Sequence, residues 1–326
     1  MDIRRLGNLW PVSALTIGGG GLGQVWGTTS REEAVATLRG AIDGGITLID
    51  VAPSYGEGEA EAVVGDAFNG RLPYGVRVSS KAHVGGFEPS EVESALRRSL
   101  DESLLRMRIE HVDLFVLHGQ ILPIPDPERS TWTTPLGLYE EAVRPALQKL
   151  VDEGRVGAWG ITAVQFPGVL ESVFTADPAP QAAQMIANLL DSPGDMAWSD
   201  EIADPRGMAR WARERGIGVM GIRAVQAGAL TDSLDRRLGP GHPARVDFER
   251  AAPLRALADE LGESTAALAH RYALTMDDVD TVVLGVKNRE ELAECLRVAE
   301  LGTLPEDVMR RVDDLTAPLR DVDGAG

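Results

Sequence analysis

Four side chains that can exchange or orient protons follow three consecutive apolar runs. Asp50 ends ITLID, Lys81 ends VRVSSK and His118 ends VDLFVLH, while Tyr55 lies in the turn VAPSYG just beyond Asp50. Taken singly, they are explained as a capping acid, a surface lysine, a satisfied core histidine and a half-buried turn aromatic. They become one reactive group if the runs are adjacent parallel strands, because the carboxyl ends of such strands share a rim.

Together these residues predict acid catalysis at a carbonyl oxygen. The pKa of a phenol is about 10, so Tyr55 alone is a poor proton donor at neutral pH. We expect the Lys81 ammonium to lower that pKa, since at about 4 Å and an effective dielectric of about 20 the attraction is about 4 kcal/mol. Asp50 would keep Lys81 charged, and His118 would orient the substrate oxygen. No nucleophile or metal is required, and a reduced nicotinamide is the expected hydride donor.

Eight short apolar runs predict the strands that position these residues. Most lack the alternation of a half-exposed sheet, as expected for parallel strands covered on both faces. The predicted strands are residues 14–18, 46–50, 76–81, 112–118, 156–161, 182–186, 217–222 and 281–286.

Helical patterns separate these runs. Ser30 predicts an N-cap, with Glu33 completing a capping box, and Pro145 predicts either a kink or the true start of its helix. Further helices are predicted near 204–215, 252–275 and 288–300, and one apolar stripe consists of Ala60, Val63, Val64, Ala67 and Phe68.

The alternation predicts an α/β protein with one domain over residues 1–326, a (β/α)8 TIM barrel with a C-terminal helix and acidic tail at 304–326. A doubly wound open sheet is the alternative, because GGGGLG at 18–23 matches the dinucleotide fingerprint G-x-G-x-x-G. However, QVWGTTS follows these glycines before the predicted helix. They are better interpreted as allowing a tight turn or a close backbone approach to a ligand.

Composition limits the partners of the chain. The net charge of −18 argues against nucleic acid and anionic membranes, although a few basic groups can still bind a small anionic cofactor. Cys295 is the sole cysteine, which excludes an intrachain disulfide, and no histidine spacing predicts a metal site. The N-terminal segment is interpreted as mature protein because Asn8 and Pro11 interrupt its apolar part. We expect a cytoplasmic monomer or small homo-oligomer that acts on a small molecule.

The segments around the four reactive residues resemble the aldo-keto reductases. These segments are GGITLIDVAPSYGEGEAEAVVGDAF, VRVSSKAHVG and RMRIEHVDLFVLHG, and the resemblance continues from about residue 5 to about residue 300. It implies that Asp50, Tyr55, Lys81 and His118 form the catalytic tetrad of that family. It also implies a nicotinamide cofactor extended across the barrel mouth without a Rossmann domain.

The same resemblance implies which residues hold the cofactor. Gln184 would bind the carboxamide, Arg223 and the rest of loop 222–230 would wrap the pyrophosphate, and Lys287 with Asn288 would grip a 2′-phosphate. Glycines 20 and 21 would let the chain pass close to the nicotinamide. The complete set is Gly20, Gly21, Asp50, Thr162, Gln184, Ile222, Arg223, Lys287, Asn288, Glu291 and Cys295.

Four positions depart from the family pattern. Lys287 favours NADP(H) and Glu291 opposes it only weakly, so we expect NADP(H) as cofactor, with NAD(H) possible. The departures are Ala163 for an asparagine that holds the carboxamide, Ile222 for a tyrosine that stacks on the nicotinamide, Cys295 for an asparagine near the adenine, and Glu291 for an arginine directed at the 2′-phosphate.

The sequence predicts reversible reduction of an aldehyde or ketone to an alcohol, with Tyr55 as general acid. The long loop 119–137 would build much of the substrate pocket. Trp26, Phe87 and Trp132 would wall it for an apolar or ring-bearing compound, unless they merely pack under their loops. The alternative function, suggested by Ala163, is a nucleotide-binding sensor or accessory protein on the same fold with little turnover.

Overall fold

The computed structural model describes residues 1–164, 166–198, 203–234 and 236–320. The strands are β1 (Ile3–Arg5), β2 (Pro11–Ser13), β3 (Leu15–Gly18), β4 (Leu48–Asp50), β5 (Arg77–Ala82), β6 (Val112–Leu117), β7 (Gln120–Leu122), β8 (Thr133–Pro135), β9 (Val156–Thr162), β10 (Ala182–Ile186), β11 (Gly218–Ile222) and β12 (Thr281–Leu284).

The α-helices alternate with these strands. They are α1 (Gly19–Leu22), α2 (Arg31–Asp43), α3 (Glu59–Phe68), α4 (Pro89–Met107), α5 (Leu136–Leu138), α6 (Arg144–Asp152), α7 (Pro167–Thr175), α8 (Pro205–Glu214), α9 (Pro243–Arg250), α10 (Ala252–Leu261), α11 (Thr265–Thr275), α12 (Arg289–Leu301) and α13 (Glu306–Arg320). Helix α13 is the C-terminal helix expected within 304–326, and the acidic tail at 321–326 lies outside the described residues.

Eight parallel strands close into a barrel in the order β3-β4-β5-β6-β9-β10-β11-β12, with β12 pairing back onto β3. This confirms the predicted (β/α)8 fold and excludes the open doubly wound sheet. Each of the eight predicted strands is present, with bounds within two residues of the prediction. The apolar runs form strands because both faces are covered: the interior by other strands and the exterior by the helices.

A hairpin that the sequence did not predict closes the amino end of the barrel. Strands β1 and β2 pair antiparallel, with Arg4 opposite Val12. Leu6 and Val12 from this hairpin pack with inward-facing strand residues such as Leu48, Leu114 and Met220. The amino end is therefore filled by side chains, which leaves the carboxyl end as the open mouth.

The sequence signals for helix starts and ends were predicted correctly in part. The Ser30 hydroxyl caps α2 by accepting from the Glu33 amide at 3.1 Å. The predicted capping box is incomplete, because the Glu33 carboxylate instead binds Arg289. Pro145 lies in the first turn of α6, directly after a π-helical turn at 139–143, and the backbone is helical from α5 through this turn into α6, so Pro145 does not begin the helical segment. The helix predicted at 252–275 is two helices, because Gly262 ends α10 in the left-handed conformation.

The glycine run forms a single helical turn, α1, directly after β3 rather than a loop. A Cβ on Gly21 would lie 2.0 Å from the carbonyl oxygen of Val286, so this turn needs glycine to pack on the segment after β12. Within the described part of the chain, no helix is both long and apolar enough to cross a membrane.

A second small pairing lies above the barrel rim. Strands β7 and β8 run parallel, with Gln120 opposite Thr133 and Leu122 opposite Pro135. They hold the two ends of the segment 123–132 together. The Gln120 side chain also donates to the carbonyl of Met196 at 2.8 Å, which links this pairing to the loop after β10.

Candidate active site

The carboxyl ends of neighbouring strands bring the predicted tetrad together. Asp50 is the last residue of β4, Lys81 is the penultimate residue of β5, and His118 directly follows β6. Because β4, β5 and β6 are adjacent and parallel, these residues share one rim. Tyr55 reaches the same place from the turn after β4, so the predicted convergence is present in the structure.

Lys81 is the centre of the tetrad. Its side chain is fully buried, and its Nζ lies 2.8 Å from Asp50 Oδ2, 3.1 Å from the carbonyl oxygen of Val51 and 3.2 Å from the Tyr55 hydroxyl. An ammonium has three donors, and here each has an acceptor. The phenolic oxygen therefore accepts from Lys81, which leaves the proton of Tyr55 itself available to a substrate.

Gln184, at the middle of β10, extends this hydrogen-bonded row. Its Nε2 donates to Asp50 Oδ1 at 2.8 Å, so both oxygens of the buried Asp50 carboxylate have a donor. The row Gln184–Asp50–Lys81–Tyr55 is continuous. A carboxylate held in this way stays in position to compensate the buried lysine charge.

The burial and charges of this row set the direction of two pKa shifts. Burial lowers the pKa of the Lys81 ammonium, but Asp50 and Tyr55 raise it by more, so Lys81 remains charged. Burial of the phenol raises the pKa of Tyr55, whereas Lys81 lowers it by less, and the net pKa lies above its usual value. The expected net lowering by Lys81 is therefore wrong, because burial outweighs the ammonium. Tyr55 is consequently protonated at neutral pH, as an acid must be.

His118 is held as a neutral imidazole. Its Nδ1 lies 3.3 Å from the Ser54 hydroxyl, and its ring meets the edge of Tyr55 with the ring centroids 5.5 Å apart. Burial, the charge of Lys81 and the neighbouring His83 lower the pKa of His118 well below its usual value. A neutral imidazole carries one N–H. If the Ser54 hydroxyl donates a hydrogen bond to Nδ1, the N–H is on Nε2 and can donate to a substrate.

His83 is a residue of this site that the sequence analysis missed. Its ring stacks on His118 with centroids 4.5 Å apart, and its edge contacts Trp132 at 4.4 Å. Both ring nitrogens are buried, and burial lowers the pKa of His83 to about 4 against the opposing effect of a hydrogen bond with the His118 backbone. A signal existed: His83 lies two residues after Lys81, and alternate residues of an extended strand point to the same side.

An elongated cavity of about 790 Å³ opens over the tetrad. It runs from the tetrad, past the loops that follow β10 and β11, to the start of α12. Of the predicted cofactor and pocket residues, those that line it are Gly20, Trp26, Asp50, Trp132, Thr162, Gln184, Ile222, Arg223, Lys287, Glu291 and Cys295.

Three predicted residues lie elsewhere. Phe87 is 37% exposed and outside the cavity lining. Gly21 packs against Val286 instead of facing the cavity. The Asn288 side chain caps α12 by accepting from the Glu291 amide at 2.9 Å, so its oxygen is engaged in the helix terminus.

Two loops after the strands contribute residues that the sequence analysis did not single out. Asp195, Met196 and Trp198 follow β10, and Asp232 and Arg236 follow β11; all five line the cavity. Their placement after barrel strands was the available signal, since loops at this face build the site.

Arg223 is held across these loops. It adopts a left-handed backbone conformation with φ of 59°. Its guanidinium donates to the carbonyl of Pro193 at 2.9 Å and forms an ion pair with Asp195. Arg223, the residue predicted to bind the pyrophosphate, is therefore held by the loop after β10.

Comparison with known proteins identifies the family. The model of the Aldo/keto reductase family matches residues 14–317. The chain is 26% identical to L-galactose dehydrogenase of Arabidopsis thaliana, covering 99% of this chain and 96% of that protein. It is also 26% identical to the NADH-specific methylglyoxal reductase of Escherichia coli, covering 93% and 89%. An aldo-keto reductase of Klebsiella pneumoniae in complex with NADPH superposes with a TM-score of 0.69 at 24% identity, covering 97% and 95%. The chain therefore belongs to the aldo/keto reductase family, whose members include oxidoreductases.

Proposed function

We propose that this protein is an NAD(P)(H)-dependent oxidoreductase that reduces an aldehyde or ketone to an alcohol, reversibly, with Tyr55 as general acid. One observation carries the proposal: the buried Lys81 ammonium joins Asp50 to the Tyr55 hydroxyl at the floor of the cavity. In this arrangement the phenol is a proton donor whose conjugate base has a cation beside it. Proton transfer to a carbonyl oxygen is the chemistry it supports.

The residues present fit a nicotinamide dinucleotide. The Thr162 hydroxyl is buried, lines the cavity and has no hydrogen-bond partner among the described residues. Gln184 uses its amide nitrogen on Asp50, which leaves its oxygen to accept from a carboxamide. When bound, the cofactor supplies a hydride to the carbonyl carbon or receives one from the alcohol carbon. Ala163 contributes no amide, so Thr162 and Gln184 would hold the carboxamide.

Each tetrad residue has one task in this proposal. Tyr55 gives its proton to the carbonyl oxygen, and Lys81 stabilises the phenolate that remains. Asp50 keeps the buried Lys81 charged. His118, neutral and oriented by Ser54, donates a hydrogen bond to the same substrate oxygen.

The cavity lining favours a substrate with an apolar or ring-bearing body. Trp26, Trp132 and Trp198 line the cavity, with Trp132 against His83 beside the tetrad, and Met196 adds a flexible apolar contact. Phe87 has no part in this pocket. A cytoplasmic location and a monomeric or small homo-oligomeric state remain predictions from the sequence.

The test is a panel of aldehydes, ketones and sugars assayed with NADPH and NADH, using the wild type and Tyr55→Phe. We expect the variant to lose about 10³-fold to about 10⁴-fold in turnover, because the acid is gone. The cofactor dissociation constant should change by less than about threefold. Tyr74→Phe is the matched control, since Tyr74 is fully exposed.

Full turnover by Tyr55→Phe would refute the general-acid role. Tight dinucleotide binding by the wild type without oxidation across the whole panel would favour the alternative, a sensor or accessory protein on the same fold. Ala163, where the family pattern has an asparagine, is the observation behind that alternative. The intact hydrogen-bonded tetrad favours the enzyme.

A further inference from the structure

The imidazole of His118 belongs to a cluster of three rings beside the tetrad. It stacks on the His83 ring with centroids 4.5 Å apart and an interplanar angle of 23°. It also meets the Trp132 ring at 6.0 Å and 81°, and His83 contacts Trp132 edge to face at 4.4 Å. Each of the three rings therefore contacts the other two.

The register of the barrel explains why the two histidines stack. Ala82 pairs with Leu117 across the parallel strands β5 and β6, so the next residues in the same register are His83 and His118. The His118 amide continues this pairing by donating to the Ala82 carbonyl at 2.8 Å. Neighbouring strands lie about 4.8 Å apart, a spacing at which two flat rings in register can stack.

Trp132 is brought to this pair by close approaches of the backbone at two glycines. A Cβ on Gly119 would collide with the carbonyl of Trp132, and a Cβ on Gly85 would collide with the carbonyl of Ser130. The chain around Trp132 is thus packed directly on the residues that follow the two histidines. The ring cluster is held from both sides.

The three rings differ in what they face. His118 and Trp132 line the cavity, whereas His83 does not, so His83 lies behind the ring that would touch a substrate. Burial lowers the pKa of both histidines, which allows them to stack as neutral rings without charge repulsion. The contacts of His83 therefore act on the orientation of His118 and not on the substrate itself.

We propose that His83 is a positioning residue of the reaction: it fixes the plane of the His118 imidazole so that Nε2–H is directed at the substrate oxygen, and Trp132 holds His83 in place. The inference rests on the proposed function, in which His118 donates that hydrogen bond. The Ser54 hydroxyl, 3.3 Å from Nδ1, fixes one atom of the ring. A bond to one atom leaves the ring free to tilt, and a stacked neighbour opposes the tilt.

The first experiment observes His118 directly, without turnover. The chain has five histidines, so the ¹⁵N-labelled imidazoles can be resolved by NMR and assigned by single substitutions. In the wild type at neutral pH we expect His118 as one tautomer, with its proton on Nε2. His83→Ala should give averaged nitrogen shifts for His118, because a ring that tilts loses its bond with Ser54 part of the time.

The second experiment measures steady-state reduction of benzaldehyde with NADPH and with NADH. His83→Ala should lower kcat by about 10-fold to about 100-fold with little change in the cofactor dissociation constant, because a donor that is misdirected stabilises the reacting oxygen less. His83→Phe should restore most of this loss and the single tautomer, since it keeps a flat ring. Val84→Ala is the matched control: Val84 is the next residue, is buried and does not line the cavity.

Trp132 tests the third ring through a double-mutant cycle. Trp132→Ala should lower kcat by less than His83→Ala and also raise KM, because Trp132 lines the cavity. In the double variant the loss of kcat should be much smaller than the product of the two single losses, because both rings act on His118.

The outcomes separate this inference from the proposed function. A single Nε2–H tautomer in His83→Ala, with kcat within about twofold of wild type, would overturn the inference and leave the function standing. Equal losses in His83→Ala and His83→Phe would overturn the role of the stacked ring. A wild type that reduces no carbonyl would overturn the proposed function, and with it the reaction that His83 serves.

Discussion

The cavity contains two lysine–carboxylate pairs that differ in burial more than in geometry. Lys81 and Asp50 lie 2.8 Å apart with side chains 0% and 3% exposed, whereas Lys287 and Glu291 lie 3.1 Å apart with side chains 23% and 36% exposed. An exposed pair contributes little to stability, but removal of one partner from a buried pair leaves an uncompensated charge. The first pair should therefore be fixed, and the second open to exchange.

The two pairs also differ in what places them. Asp50 and Lys81 come from adjacent strands, so their contact exists only when the barrel register is correct. Lys287 and Glu291 are four residues apart at one helix terminus and meet through local structure. The contact at the tetrad thus depends on the whole fold, whereas the Lys287–Glu291 contact depends on a few neighbouring residues.

The strongest test of this difference is Lys81→Met. We expect the free energy of unfolding to fall by about 3–5 kcal/mol, because Asp50 is left buried without its counter-ion. Turnover should fall by about 10²-fold to about 10⁴-fold, since the acid loses its cation. Denaturant unfolding and steady-state kinetics measure the two effects, and Lys287→Met is the matched control for stability. If both lysine variants were equally stable, burial would not be the property that separates the pairs.

A second test asks how the free energy of unfolding depends on pH in the variant His83→Phe, whose substitution lies beside the tetrad. The pKa of His83 is lowered from 6.5 to about 4 by burial, so below pH 6.5 the unfolded chain gains a proton that the native state does not. Stability is therefore lost as the pH falls. The variant should recover about 2 kcal/mol of the loss in unfolding free energy between about pH 7 and about pH 5.

Urea unfolding at the two pH values measures this recovery. His111→Phe, at an exposed position, is the matched control. An identical pH dependence in wild type and His83→Phe would show that the native state accepts the proton on His83, contrary to the burial of its ring.

The smallest effect is expected at the Lys287–Glu291 pair. Glu291→Gln should change the free energy of unfolding by less than about 1 kcal/mol, because both side chains are partly exposed. Thermal and urea unfolding measure it, with Glu290→Gln as the control. If Glu291→Gln lowered the free energy of unfolding as much as Lys81→Met, the two lysine–carboxylate pairs would not differ in their contribution to stability.

The features that could be predicted from the sequence are those that repeat or that follow from topology. Parallel strands that are covered on both faces appear in the sequence as short apolar runs. Eight such runs that alternate with helices are compatible with few folds. Once the barrel was inferred, Asp50, Lys81 and His118 had to converge, since each ends a neighbouring strand.

The features that could not be predicted depend on three-dimensional surroundings. Strands β1, β2, β7 and β8 have three residues each, too few to show a period. The direction of the Tyr55 pKa shift depends on how completely the phenol is buried, which spacing does not reveal. Phe87 and Trp132 looked equivalent as loop aromatics, but only Trp132 lines the cavity.

The parallel pairing of β7 with β8 has a consequence for how this protein could acquire new substrates. Because the two strands fasten both ends of segment 123–132 to each other, the intervening residues can change in length and composition without pulling on the barrel. Trp132, at the end of that segment, contacts His83 beside the tetrad. We therefore expect segment 123–132 to tolerate exchange more readily than the tetrad, whose residues lie at the ends of barrel strands.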